Sequence, residues 1–370
     1  MKFVYLIMSV LGFSFLLSCK KSGYETKNGA VYYKGNKVSL EDLDSFEELN
    51  PVFARDAVAA YYRGSYIEAH GASFEALDEH YAKDKSTVYY CDNSLDGQTY
   101  FTSRKNSIKR LPKADIASFK LLSNGYAKDK LYGYWNGVLF PVHDIATLQP
   151  LDHGFCKDKV TGYYALTMIP NSDGPSFEVV GNSFAKDQNR VYYCWINYAD
   201  PKVRNLPVAQ IIPGADPETF AVLDLDYSKD QNRVYYKNLP LNGADPLTAR
   251  LVEPHHLDYI SDTTLVFYQN KLISGADVAS FELLNDSYAR DHKTVFYQDK
   301  PLKNSDRATF TVLESGYAKD NKRVYFDGRE LKGTDSASFK LVENVYNQDA
   351  ADAKHAYHAG KIKKPGDDDL

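Results

Sequence analysis

The chain has 370 residues, 44% hydrophobic and 25% charged, with a net charge of −5. That apolar fraction excludes a disordered polymer, and so slight an acidic balance implies no broad nucleic-acid-binding surface. Tyrosine is in excess at 30 residues, which points to a β protein because aromatics fit the pleated, half-buried surface of a strand.

The N-terminus reads MKFVYLIMSVLGFSFLLSCKKSG. Lys2 supplies a short positive start. The apolar run Phe3 to Leu17 is short and closes on small residues, the form of a secretory signal peptide rather than a spanning helix. Leu16, Ser18 and Cys19 resemble the lipobox of bacterial lipoproteins. The resemblance implies a leader over 1–18, lipid on Cys19 and a short tether over 19–23, so the expected partner of this end is a membrane. Lys20 resembles the outer-membrane sorting pattern, and the face on which the body lies is left open. An ordinary leader with a chance Cys is the alternative. Of the other cysteines, Cys91, Cys156 and Cys194, no more than two can pair within one chain. Cys156 and Cys194 are the better pair; free buried thiols are the alternative.

From residue 24 onward a phrase recurs, as YAKDK at 81–85 and YAKDN at 317–321. Its Asp stands at Asp56, Asp84, Asp129, Asp158, Asp187, Asp230, Asp262, Asp291, Asp320 and Asp349, and a degenerate first copy has Lys27 there. Most copies lie 29 residues apart; gaps of 45 and 43 mark insertions near 91–113 and 194–213. An aromatic precedes each Asp by three, and an aromatic pair such as Tyr325-Phe326 follows it. A second phrase, GTDSASFKLV at 333–342, places its Phe ten residues before the Asp in most copies.

In chain order each unit therefore predicts one Asp-capped turn, a short strand (SFKLV), a tight turn at the Asp, a VYY strand and a hairpin turn. Asp327-Gly328 suits a two-residue type I′ turn, in which both residues need positive φ. Alternation along the strand predicts that Val324 and Phe326 share a face and that Tyr325 takes the other, so one member of each pair points outward. Those aromatics are expected to pack against the next unit as a ladder that holds the array together, with an exposed row that contacts a partner or sugar as the alternative. No such unit buries a core alone, so stacking must build it. The expected fold is all-β: an elongated, solenoid-like array of about eleven 29-residue hairpin repeats over 24–360, ending in a polar tail at 361–370. A closed β-propeller is the alternative, disfavoured because blades need about 40–45 residues.

The two phrases, in phase over nearly the whole chain, resemble the DKNYY family of bacterial repeat proteins. The resemblance implies the repeat architecture but no activity and no catalytic residues.

Candidate chemistry is sparse. A calcium loop needs several oxygens close together, whereas each copy offers one Asp beside a cation, as in Lys319-Asp320. The ten Asp residues are read as structural turn acceptors, each contributing about 1 kcal/mol. His255-His256 and His355-x-x-His358 lack the further ligands zinc requires. No nucleophile elbow, phosphate loop or zincin motif occurs. No cofactor, metal or nucleic acid is expected, and catalysis is not. The expected role is a lipid-anchored envelope scaffold or protein-binding module, with a glycan-binding surface protein as the alternative. Candidate contacts lie where the repeat is interrupted: Tyr100, Arg104, Lys105, Lys109 and Arg110 in the first insertion, Trp195 and Tyr198 in the second.

Overall fold

The computed structural model describes residues 22–95, 104–198, 205–254, 258–343 and 348–363. Among them all regular structure is antiparallel β, apart from three single 3-10 turns at Gly71–Ser73, Ile145–Thr147 and Val278–Ser280. Eleven sheets follow one another, the first with three strands and the rest with four. Neighbouring strands are consecutive in sequence, so each sheet is a meander. We number the sheets 1–11 and their strands a–d; sheet 1 lacks strand a. In sheet 10 these are Thr311–Val312, Tyr317–Lys319, Val324–Phe326 and Arg329–Glu330.

Strands of two or three residues are marginal alone, so each sheet depends on what covers its faces. The c–d turn shows how a neighbour shapes the local sequence. Asp327 (φ 46°) and Gly328 (φ 71°) form the expected left-handed pair. A Cβ on Gly328 would also lie 2.4 Å from the ring of Tyr297 in the preceding sheet. Glycine is required there for backbone conformation and for close approach alike.

The chain divides into two compact units, Met1–Ile145 with sheets 1–4 and Ala146–Leu370 with sheets 5–11. Within each unit the sheets stack face to face in a solenoid-like tandem array. In the first, Tyr81, Val88 and Tyr90 of sheet 3 meet Ala127 and Tyr134 of sheet 4, with Phe119 wedged between. In the second, Tyr288 and Val295 of sheet 9 meet Ala318 and Tyr325 of sheet 10 around Phe310. The Phe ten residues before the Asp is thus the spacer between sheets. Its ring lies 5.7 Å from both Tyr288 and Tyr325, in the range of a favourable aromatic contact.

This stacking covers the aromatics between sheets, as the ladder reading expects, and leaves the alternative of an exposed row without support. Tyr325 is 1% exposed and Tyr61 and Tyr62 are both fully buried. Alternation does send the two members to opposite faces, but inside the stack both faces are covered. The outer face of sheet 1 is open, and there Glu25, Lys27 and the half-buried Tyr32 replace the usual Ala and buried Tyr. The outer face of sheet 11 carries Asp349 and the exposed His358, 3.7 Å apart, in place of the aromatic pair of inner sheets. These polar faces show that neither unit closes into a ring. The expected Cys156–Cys194 bridge is absent: both thiols, like that of Cys91, are free and buried. Cys156 faces Tyr163 within sheet 5, whereas Cys194 belongs to sheet 6, each packed into its own strand ladder.

Candidate binding surface on the extended hairpins

The recurring Asp is a fully engaged acceptor. In Asp84, Oδ1 accepts the N–H groups of Ser86 (2.7 Å) and Thr87 (2.8 Å), which closes the b–c turn. Oδ2 accepts the hydroxyl of Tyr89 (2.9 Å) and the N–H of His70 from the upstream turn (2.8 Å). Asp129, Asp187, Asp230 and Asp320 repeat the arrangement with Tyr134, Tyr192, Tyr235 and Tyr325 and with the N–H of Asp115, Asp173, Asp216 and Asp306. Asp56 takes its upstream bonds from Glu41 and Asp42, and Asp158 accepts from Val160, Thr161 and Tyr163. Asp262 and Asp291 lack the hydroxyl, because Phe267 and Phe296 stand at that position. Burial alone would raise these carboxyls, but the converging N–H and O–H donors outweigh it and hold Asp84 and Asp320 below the usual carboxylate range.

In the last copy the position belongs to Asp352, not Asp349. Asp352 accepts from Lys354, His355, Tyr357 and Asp335. Asp349 instead takes the place of the aromatic three residues earlier and accepts the hydroxyl of Tyr317 (2.8 Å). The three extra residues lie before the Asp, as they do before Asp262; anchoring on spacing alone hid this.

A link between the two phrases was also missed. The Ser of the second phrase accepts the N–H of the residue after the Asp, as Ser118 Oγ does from Lys130 (3.0 Å). Its Asp donates backbone N–H to the same turn, so two separations, 14 and 12 residues, are locked together. The constant phase of the phrases was the available signal. The Asp of the motif, and the Ser that joins its two phrases, are therefore occupied internally.

What remains for recognition are the two insertions, which are elongated c–d hairpins. In sheet 3, strand c runs Val88–Leu95 and strand d Arg104–Leu111; in sheet 6 they run Val191–Asn197 and Leu206–Ile211. Tyr100 and Cys19 lie outside the described residues. Arg104, Lys105 and Lys109 are exposed on strand d of sheet 3. Arg110 is held by Glu68 of sheet 2 (3.0 Å). Trp195 is half-buried against Tyr193, ring centroids 5.3 Å apart, while Tyr198 is 68% exposed. The structure thus brings the basic residues together on one strand and sets Trp195 and Tyr198 on another sheet of the second unit. A groove of about 260 Å³ beside the first hairpin is lined by Leu111, Pro112, Lys113, Tyr134, Gly137 and Leu139.

Among the described residues no group of three or more His, Cys, Asp or Glu is placed to hold a metal ion. None of their helices is long and apolar enough to cross a membrane.

Fold and motif together define a class, the all-β tandem-repeat proteins with short meander sheets. The DKNYY family profile matches residues 13–93, 53–194, 202–320 and 302–361. The chain belongs to the DKNYY family. No curated protein and no solved structure matches it.

Proposed function

We propose that this chain is a lipid-anchored protein of the bacterial cell envelope that serves as a non-catalytic, protein-binding scaffold. The observation that carries the reading is the division of labour along the chain. The repeated Asp, Tyr and Phe residues are spent on turns and on contacts between sheets, and two elongated hairpins depart from that plan. Proteins built from stacked repeats commonly bind through such departures. The anchor rests on the sequence of residues 16–19, and the outer membrane is preferred on Lys20.

Proximity labelling from the full-length chain, followed by mass spectrometry, tests the binding role. Specific protein neighbours that are lost when both hairpins are cut back to the length of their repeats support it; an unchanged set refutes it. The glycan-binding alternative has lost its row of outward tyrosines, since both members of the pair are buried or half-buried in the inner sheets. It retains Tyr198 and Trp195. A glycan array with reproducible binding that Tyr198→Ala abolishes would favour it instead.

A further inference from the structure

We propose that strand d of sheet 3 accepts an acidic, extended segment of a partner protein as an added β-strand, with an apolar side chain of that segment seated in the neighbouring groove. The inference rests on the protein-binding reading above and names the class of partner.

Three features of this strand converge. First, among the described residues no strand pairs with its outer edge. Arg104–Leu111 is the edge strand of its sheet and, at eight residues, is far longer than the two-residue strand d of sheet 10. At the position equivalent to Val88, Val191 receives the N–H of Ile212, the residue just after strand d (2.8 Å), and Val234 that of Leu241 in the same place (2.8 Å). An antiparallel ladder alternates inward and outward backbone groups. Leu111, Lys109, Ser107 and Lys105 therefore bond strand c, and the backbone groups of Arg110, Ile108, Asn106 and Arg104 point away from the sheet. Such a row is a template for strand addition. The second hairpin defends its edge: Pro207 has no N–H, and its carbonyl accepts the hydroxyl of Thr167 (3.3 Å).

Second, the strand is charged beyond what the fold uses. Cations of strand b pair with the acid across on strand a, as Arg55 does with Glu47 (2.6 Å) and Lys186 with Glu178 (3.4 Å). Arg104, Lys105, Lys109 and Lys113 are exposed, and none of their side chains has an ion-pair or hydrogen-bond partner among the described residues. Asp92 is the one acid on either strand of the hairpin, and it bonds the N–H of Asn93 (2.7 Å). A concentration of free cations on a chain of net charge −5 repels a second copy of the same strand and selects an acidic one.

Third, Lys105 and Lys109 project from the face that also carries Leu111, so the cations lead into the groove of about 260 Å³ formed with Tyr134 and Leu139. An incoming strand laid along the edge sets its carboxylates near the lysines and an apolar residue at the groove. Neither an anionic polysaccharide nor a lipid surface offers the alternating row of backbone donors and acceptors that matches the outward N–H and C=O groups.

The test uses the soluble chain from residue 20 onward and a fluorescent octapeptide of alternating Glu and Val, read by anisotropy. Its comparison peptide is N-methylated at every residue, which keeps side chains and charge but removes the donors. The proposal expects saturable binding that weakens as salt rises, falls at least tenfold with Lys105→Glu/Lys109→Glu, and falls at least tenfold for the methylated peptide. Both lysines are exposed, and an unchanged thermal melt confirms that the variant folds. The proposal is overturned by no binding, by equal binding of the two peptides, by indifference to charge reversal, or by equal competition from heparin or anionic phospholipid vesicles. If the peptide fails while labelled partners still depend on the hairpins, this site is wrong and the scaffold reading stands. If no protein partners are found at all, the reading itself falls.

Discussion

Asp320 accepts four donors: the N–H groups of Lys322 and Arg323 (2.7 Å each), Asp306 N–H (2.9 Å) and Tyr325 hydroxyl (3.0 Å). It is 2% exposed, so deleting its carboxylate leaves a buried hydroxyl and amide without partners. Asp320→Ala should cost about 3 kcal/mol in urea unfolding, well above the ~1 kcal/mol of a single turn bond. Tyr325→Phe should cost only about 1 kcal/mol, because the copies with Phe267 and Phe296 already dispense with that hydroxyl. The pH dependence follows from the direction of the shifts. Asp56, Asp84, Asp129, Asp187, Asp262, Asp291, Asp320 and Asp352 all have carboxyls held below the ordinary value in the folded state. Groups lowered in this way contribute stability that is complete above their unfolded pKa of about 4 and is lost as pH falls through the folded values. Denaturant midpoints should therefore be flat from pH 7 to pH 5 and decline steeply below about pH 4. A midpoint that holds constant down to pH 2 would contradict the network. The role of the Asp as a turn acceptor was legible from its neighbours in sequence. Its bonds to Tyr325 and to Asp306 were not, because neither periodicity nor composition reveals which side chain reaches across a turn.

At the scale of the element, the hairpin turn is where one sheet meets the next. Gly328 N–H donates to Tyr288 of the preceding sheet (3.0 Å), and Gly360 N–H donates to Tyr317 in the same way (2.8 Å). Gly137 in the first unit does so with Tyr81 (2.8 Å). Gly328→Ala adds one methyl group, the Cβ, 2.4 Å from the Tyr297 ring on a residue held at positive φ. It should destabilise by more than 2 kcal/mol, about 1 of which is backbone strain. Gly35→Ala places its Cβ in open space, with nothing within 4 Å, and should show the backbone penalty alone. Comparing the two chemical melts separates packing from conformation; equal losses would refute the packing argument. The Asp327-Gly328 turn was readable from the dipeptide, since only a few residue types tolerate left-handed φ. The contact that makes glycine obligatory comes from another repeat and leaves no local trace.

At the scale of the whole molecule, stacking governs reactivity and location. Cys91, Cys156 and Cys194 are fully buried, and burial pushes the thiol of Cys91 up to about 12. The soluble chain should leave these three thiols unlabelled by an aqueous disulfide reagent until denaturant is added, and then release three equivalents without prior reduction. Labelling in the native state, or a need for reductant, would contradict the packed, unpaired arrangement. Cys19→Ala should move the protein from the membrane fraction to the soluble one; retention at the membrane would remove the proposed anchor.

The sequence by itself determined the repeat, the strand and turn types, and the all-β class, because all of these depend on residues within a few positions of one another. Register in the last copy was obscured by a three-residue insertion ahead of Asp352, whereas the same insertion ahead of Asp262 left that Asp recognisable from the aromatics around it. Only the tertiary structure decided that the first member of the aromatic pair is buried and the second buried or, as at Phe326, half-buried. Alternation states that they face apart; whether either face meets water depends on a sheet 29 residues away in the chain. It also decided that the insertions extend strands rather than loop out. That difference matters for function, since an elongated strand presents a row of backbone donors and acceptors that a loop does not.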